Sequence, residues 1–327
     1  MRALITGIAG QDGSYLAELL LERGYEVHGL VRRNSTPEHQ ENRIHHLGDT
    51  VQTHYGDLTD KSSLYQVIEN VRPDFLFNLA AQSHVRISFD IPEFTSAVNA
   101  IGALNVYDAV RRISPSTKVY QASSSEMFGT SVDADGFQRE TTPMHPASPY
   151  GCAKLFAYHA ARTYRDSYKL FISNGILFNH ESPRRGSNFV TTKVIRGAIE
   201  IAKGESDSLF LGNIDSFRDW GHSRDYVRAM LKILEHEEGD DFVIATGQTQ
   251  SVRYLCELVF SKFNLNWQDH VKFDERLLRP KEVPHLKGDG AKARRILGWE
   301  PQISFEELIA EMIGEFAKLS NLNVPNE

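Results

Sequence analysis

The chain has 327 residues, 41% of them hydrophobic and 24% charged, with a formal net charge of −7. That length can bury a large core in one big domain or two unequal ones, while the acidic balance excludes a bulk electrostatic grip on nucleic acid. An anionic ligand would need a local cluster of Arg and Lys, and two cysteines far apart, Cys152 and Cys256, exclude a disulfide framework and fit a reducing compartment.

The opening MRALITG has no basic segment followed by a long apolar run, so it does not read as a signal peptide. No stretch approaches the roughly 18 consecutive apolar residues of a spanning helix, and the cytoplasm is the expected compartment. RALIT predicts a first strand ending at Gly7. SYLAELLLERG then shows helical spacing of Leu16, Leu19 and Leu20, closed by Gly24. YEVHGLV, VQTHYGD, DFLFNLA and KVYQASS read as further strands, and SSLYQVIENV and SAVNAIGALNVYDAVRRI as helices between them. Alternation of this kind predicts crossover units and a parallel sheet covered on both faces. A helix around SPYGCAKLFAYHAARTYRDSY, a strand LFISNGILFN and the Arg-rich HESPRRGSN follow. Farther on, TTKVIRGAIEIAKG looks helical, DDFVIAT looks like a strand, and the tail from Ser251 reads as short helices and loops.

The expected fold class is α/β, a Rossmann-type doubly wound parallel sheet with a smaller mixed α/β domain. Residues 1–178 plus about 214–250 are expected to form the dinucleotide-binding domain, and about 179–213 plus 251–327 the smaller one.

Gly7, Gly10 and Gly13 stand three apart between the first strand and first helix, where backbone N–H groups and a helix N-terminus can approach a pyrophosphate. An NAD-binding fold usually ends its second strand on an acid; here Val31 is followed by Arg32 and Arg33, which favours NADP unless the two are a surface charge pair. Asp57, after the third strand, suits the adenine end or the cap of the next helix. Tyr150 and Lys154 lie four apart on one helical face. A neighbouring ammonium and a cationic nicotinamide would lower the phenol from its ordinary value near 10, and a hydroxyl such as Ser124 can bond the reacting alcohol oxygen. Together these groups suit removal of a proton from an alcohol as NADP takes the hydride.

The loop spacing, the strand-end serines and Tyr-x-x-x-Lys resemble the extended short-chain dehydrogenase/reductase superfamily. GQDGSYLAELLLERGYEVHGLVRR, HYGDLTD, NLAAQSHVRISFD, SPYGCAKL, NGILFNHESPRRG, RDWGHSRDYVRAM and DDFVIATG resemble, within it, the GDP-mannose 4,6-dehydratase family. These stretches run from Met1 to about Val252, with a looser echo in RPKEV and KGDGAKARRILGW. The resemblance implies oxidation at sugar carbon 4, loss of water across carbons 5 and 6, and return of the hydride to carbon 6. It implies catalytic roles for Ser124, Glu126, Tyr150 and Lys154, with Tyr150 the base at the 4-hydroxyl and Glu126 the base at carbon 5. Strand alternation would let Ser124 and Glu126 point the same way.

The resemblance further implies cofactor contacts at Gly7, Gly10, Gln11, Asp12, Gly13, Arg32, Asp57, Leu58, Leu79, Ala81, Ser83, Tyr150, Lys154, His180 and Arg185, the last at the 2′-phosphate across a subunit contact. It places Asn179, Lys193, Arg218, Arg279 and Glu282 on the GDP-sugar side, where surface charge is the rival reading. A homodimer or homotetramer is implied, with VRRNSTPEHQ near a subunit contact. No metal is expected, since the His are scattered and the adjacent His45 and His46 cannot face one ion from a regular element. Cys152 is expected to be a small packed side chain.

The chain departs from the family pattern at Ala9, Ala80, Phe94, Ala147 and Thr192, and at EVPHL. These changes spare the reaction core but touch the cofactor and sugar ends. The identity of the sugar, mannose or a heptose, is therefore the open point. An epimerase or reductase has no need of Glu126, and a non-catalytic NADP-sensing protein has no need of Tyr150 and Lys154.

Overall fold

The computed structural model describes residues 1–33 and 43–322. In chain order the first half contains β1 (Arg2–Thr6), α1 (Gln11–Glu22), β2 (Glu26–Val31), β3 (Val51–Tyr55), α2 (Lys61–Val71), β4 (Phe75–Asn78), the short α3 (Ile87–Asp90) and α4 (Pro92–Ser96). A π turn over Ala97–Ile101 carries α4 into α5 (Gly102–Ile113), followed by β5 (Lys118–Ser124), α6 (Pro149–Tyr168) and β6 (Ile172–Leu177). The second half holds β7 (Asn179–Glu181), α7 (Val190–Ala202), β8 (Leu209–Leu211), β9 (Phe217–Arg218), β10 (Trp220–His222), α8 (Ser223–Glu235), β11 (Asp241–Ile244), β12 (Gln250–Ser251) and α9 (Val252–Ser261). It ends with α10 (Trp267–His270), β13 (Val271–Phe273), α11 (Ala291–Leu297) and α12 (Phe305–Leu319).

Seven strands form one sheet in the order β11-β6-β5-β4-β1-β2-β3, and every neighbouring pair is parallel. Such a sheet needs helices on both faces. The strands are correspondingly apolar along their length, with Leu4, Ile5, Leu76 and Phe77 fully buried. One face packs on α1 and α8 through Leu16, Leu20, Met230 and Leu234; the other packs on α2, α5 and α6 through Leu64, Val106, Tyr107 and Ala157. Strand order reverses between β1 and β4, which opens a crevice at their carboxyl ends.

A separate apolar cluster joins α7, α9 and α12 through Ile195, Leu255, Phe260, Leu308 and Met312. Ala293, Leu297 and Trp299, near the C-terminus, pack instead into the cluster of β1, α1 and α8. Caps define the helix starts: Asp60 accepts from the N–H groups of Ser62 and Ser63, Ser148 accepts from Gly151 ahead of Pro149, and Ser304 forms a reciprocal box with Glu307.

Two expectations change. The strand LFISNGILFN is interrupted at Phe178, and its end forms β7, which pairs with β10 away from the main sheet. Cys152 is exposed rather than packed; Tyr150, Lys154, Ala157 and Ala161 take the buried face of α6 and leave position 152 outside. Positions 34–40 of VRRNSTPEHQ lie outside the described residues. Among the described residues no helix is long and apolar enough to cross a membrane.

Candidate active site

The loop from β1 to α1 is glycine-built for steric reasons. Gly7 has φ +73°, and a Cβ there would sit 2.9 Å from the Ala80 backbone after β4. A Cβ at Gly13 would sit 2.3 Å from the Gly7 carbonyl. The loop borders a cavity of about 550 Å³ in the crevice between β1 and β4. Gly7, Gly10, Gln11, Asp12, Gly13, Arg32, Asp57, Leu58, Leu79, Ala81, Ser83 and Arg185 all line it. Asp57 does not cap α2, a task taken by Asp60; its Oδ1 accepts from the Thr59 N–H and hydroxyl at 2.8 and 2.7 Å. Arg33 leans over the Tyr55 ring at 5.8 Å, so only Arg32 of that pair borders the cavity.

His180 does not line the cavity itself but secures its rim. Its Nδ1 donates to the Phe178 carbonyl at 2.7 Å and its Nε2 meets Asp12 Oδ2 at 2.8 Å, an arrangement that favours the positively charged ring. Burial opposes this charge, but the Asp12 carboxylate outweighs it and raises the His180 pKa. Burial likewise opposes ionisation of Asp12, and His180 and then Arg185 bring its pKa below the usual value. Gln11 adds a bond from its amide to the His180 carbonyl and accepts from the Ser182 hydroxyl. The HESPRRG segment thus lies over the N-terminus of α1. Arg185 pairs with Glu181 at 3.0 Å and lies 3.5 Å from the Phe189 ring centroid, bordering the cavity of its own chain.

At the end of β5 the backbone turns into a 3-10 turn over Ser125–Met127. Ser124 and Glu126 are therefore not related by strand alternation. The Ser124 hydroxyl instead accepts from the Glu126 N–H at 3.2 Å, which ties the two together. Tyr150 is buried, and burial raises its phenol to about 12, against a lowering hydrogen bond with Ser124. Lys154 Nζ lies 5.8 Å from the Tyr150 ring centroid and donates to the Ala122 carbonyl at 2.8 Å. Burial also drops Lys154 to about 8.

On the far side of this centre, Arg279 Nη1 donates to Glu126 Oε1 at 3.1 Å, and the Arg279 N–H donates to Glu282 Oε1 at 3.1 Å. Arg218 is buried beside them; burial and then the Arg279 charge lower it to about 10. Arg279 therefore joins Glu126 directly, with Glu282 holding the Arg279 backbone and Arg218 within reach of their charges. Lys193 and Asn179 make other contacts: Lys193 has Asp274 as its charged neighbour, and Asn179 pairs with Trp220. Among the described residues no group of three or more His, Cys, Asp or Glu is placed to hold a metal ion.

Sequence reasoning missed several groups. Arg43 and Arg184 both border the cavity. Arg43 donates through Nε to the Arg184 carbonyl and through Nη1 to the Ala9 carbonyl, while Arg184 pairs with Glu18 and stacks on Tyr15. No motif marks Arg43, whereas Arg184 stood inside the quoted NHESPRRG. Ser88, fully buried, accepts from the Tyr150 N–H at 3.2 Å and so ties the loop after β4 to the start of α6. Phe94 and Ala80 border the cavity, and the Thr192 hydroxyl is buried without a hydrogen-bond partner.

A parallel sheet in this order, a glycine cradle at its switch point and a Ser-Tyr-Lys group beside it define an extended short-chain dehydrogenase/reductase. The NAD complex of UDP-glucose 4-epimerase from Thermus thermophilus superposes with a TM-score of 0.84 at 26% identity, covering 97% of this chain and 99% of that one. The profile of the GDP-mannose 4,6 dehydratase family matches residues 4–312, and the chain belongs to that family. GDP-mannose 4,6 dehydratase 1 of Arabidopsis thaliana is 48% identical over 97% of this chain and 90% of its own length. The GDP-mannose 4,6 dehydratase of Homo sapiens is 47% identical over 99% and 93%.

Proposed function

We propose that the protein catalyses the NADP-dependent 4,6-dehydration of GDP-mannose to GDP-4-keto-6-deoxymannose. The observation that carries this reading is a buried glutamate, Glu126, whose backbone N–H donates to the Ser124 hydroxyl and whose carboxylate accepts from Arg279, in the same centre as Tyr150 and Lys154. A simple oxidoreductase has no task for it, while elimination of water requires a base. The cleft fits a nicotinamide dinucleotide: the glycine cradle admits backbone approach to a pyrophosphate, and Arg32 without an acid at the end of β2 suits a 2′-phosphate.

A nicotinamide dinucleotide held by Gly7, Gly10, Gly13 and Arg32 would supply the acceptor for the hydride of carbon 4 and its donor to carbon 6. Tyr150 takes the 4-hydroxyl proton, Ser124 bonds that oxygen, and Lys154 supplies a nearby positive charge to the phenolate. The resulting ketone acidifies carbon 5. Glu126 removes the carbon 5 proton and gives it to the departing 6-hydroxyl, which leaves as water, and the proton that Tyr150 took from the 4-hydroxyl passes to carbon 5 once carbon 6 has received the hydride. Arg218 and Arg279 hold the diphosphate of the substrate, Glu282 accepts from guanine N–H groups, and Lys193 and Asn179 complete that side.

The proposal includes the division into residues 1–178 plus about 214–250 and about 179–213 plus 251–327, a homodimer or homotetramer, and a cytoplasmic location. The test is incubation with GDP-mannose and NADP, with the 4-keto-6-deoxy product read by mass and by the sugar's proton spectrum. Turnover of a GDP-heptose but not GDP-mannose would change the substrate. Tight NADP binding with no turnover of either would sink the catalytic reading.

A further inference from the structure

The carboxylate assigned to carbon 5 is already engaged. Glu126 Oε1 accepts from Arg279 Nη1 at 3.1 Å. Arg279 comes from a segment more than a hundred residues later in the chain, just past a 3-10 turn over Glu275–Leu277, and is anchored through its backbone N–H to Glu282. Beside this pair lies the buried guanidinium of Arg218, which feels the charges of Arg279, Glu126 and Glu282. Two guanidiniums and two carboxylates therefore form one interacting cluster, and their formal charges cancel. A diphosphate entering it carries more negative charge than one carboxylate, and its oxygens match the planar guanidinium fork. It competes with Glu126 for Arg279 and screens Arg279 from Arg218.

We propose that Arg279 is a positioning residue that couples the nucleotide end of the site to the elimination: it holds Glu126 until a nucleoside diphosphate arrives, then passes to the diphosphate and frees the carboxylate. The inference rests on the function proposed above, since it takes Glu126 as the base and GDP as the nucleotide. The freed Oε1 accepts the proton of carbon 5, and the electron pair of that C–H bond becomes the new bond between carbons 5 and 6. The C–O bond at carbon 6 breaks, and Glu126 returns the proton to the leaving oxygen as water. With Arg279 in its resting place, the oxygen that begins this sequence is occupied.

GDP separates the two ends of the site because it carries the diphosphate but no sugar. The NADP-loaded protein is prepared with carbon-13 at its glutamate carboxyl carbons, the Glu126 signal is assigned from Glu126→Gln, and GDP is titrated while calorimetry records its binding. The expected result is a shift of the Glu126 signal with the same midpoint as the heat. In Arg279→Met, GDP binds about 10-fold or more weakly and the Glu126 signal stays in place at saturation. If GDP binds the unaltered protein and leaves the Glu126 signal where it was, the hand-over is wrong and the proposed function stands. An equal shift in Arg279→Met overturns it too, because the diphosphate would then act directly. If GDP fails to bind at all, both the inference and the GDP-sugar reading fall.

Discussion

The dinucleotide cleft and the charged pocket beyond Glu126 are built in different ways. The cleft is made mainly by backbone: a short glycine loop, one helix start and the ends of neighbouring strands, all fixed by sheet order. The pocket is made by side chains from the 3-10 turn after β5, from β9 and from the segment after β13, brought together only by the fold. A backbone-built site tolerates the loss of single side chains, whereas a site of single side chains does not. Substitutions should therefore separate the two regions by which step fails.

The largest effect is expected where the regions meet. Tyr150→Phe removes the atom that accepts the 4-hydroxyl proton, and kcat should fall by about 10²–10⁴. Dissociation of NADP should change little, because the cleft does not depend on that hydroxyl. A comparable loss of NADP affinity would mean that Tyr150 supports the cleft instead. Glu126→Gln should lower product formation by a similar factor of about 10²–10⁴, with one difference. Oxidation at carbon 4 still proceeds, so reduced cofactor accumulates in a single turnover and is visible by its absorbance. Product at the normal rate from this variant would remove Glu126 from the reaction.

A smaller effect is expected at the rim of the cleft. Arg32→Ala should weaken NADP by about 10–100-fold, the worth of a charge-assisted bond to phosphate, and leave NAD within a factor of about three by the same argument. Equal weakening of both cofactors would show that Arg32 serves the shared part of the dinucleotide. Ser88→Ala should cost less again, roughly 10-fold in kcat with KM held, because a buried N–H of Tyr150 loses its acceptor and the phenol loses its position. Rescue by Ser88→Thr is the matching control.

The same contrast governs what could be read before the structure. The cleft was legible because Gly7, Gly10 and Gly13 are close in sequence and their spacing has a steric cause, and because alternating apolar runs imply the sheet. Arg43 was not, since its place depends on a path through loops with no motif. At β5 the three serines identified the right residues for a reason that failed, because the strand ends at Ser124 and a 3-10 turn carries Glu126. Cys152 was misplaced although its spacing carried the answer, since a residue two places from Tyr150 lies opposite the helix face that Tyr150 and Lys154 share. The Glu126–Arg279 pair spans a sequence distance no pattern encodes, and so does the burial that moves Tyr150 and Lys154 in opposite directions from their ordinary values.

The smallest predicted effect tests the fastening between the glycine loop and β7. Asp12 and His180 form a charged pair 2.8 Å apart under the loop, with Tyr226 stacked on the imidazole at 4.5 Å and Arg185 as the other nearby charge. The His180 pKa is raised above 6.5, so its share of the stabilisation is complete below that value and is lost as pH rises through the raised one. The Asp12 pKa is lowered below 3.8, so its share is present above that value and is lost as pH falls through the lowered one. The pair is therefore at full strength between pH 3.8 and 6.5. Asp12→Asn keeps the shape and removes the charge. Its stability deficit, measured by denaturant melts, should be about 1–2 kcal/mol inside that window and should shrink at alkaline pH. A deficit that stays constant with pH would mean that His180 is neutral, and the loop would then be held by the Gln11 bonds and by packing alone.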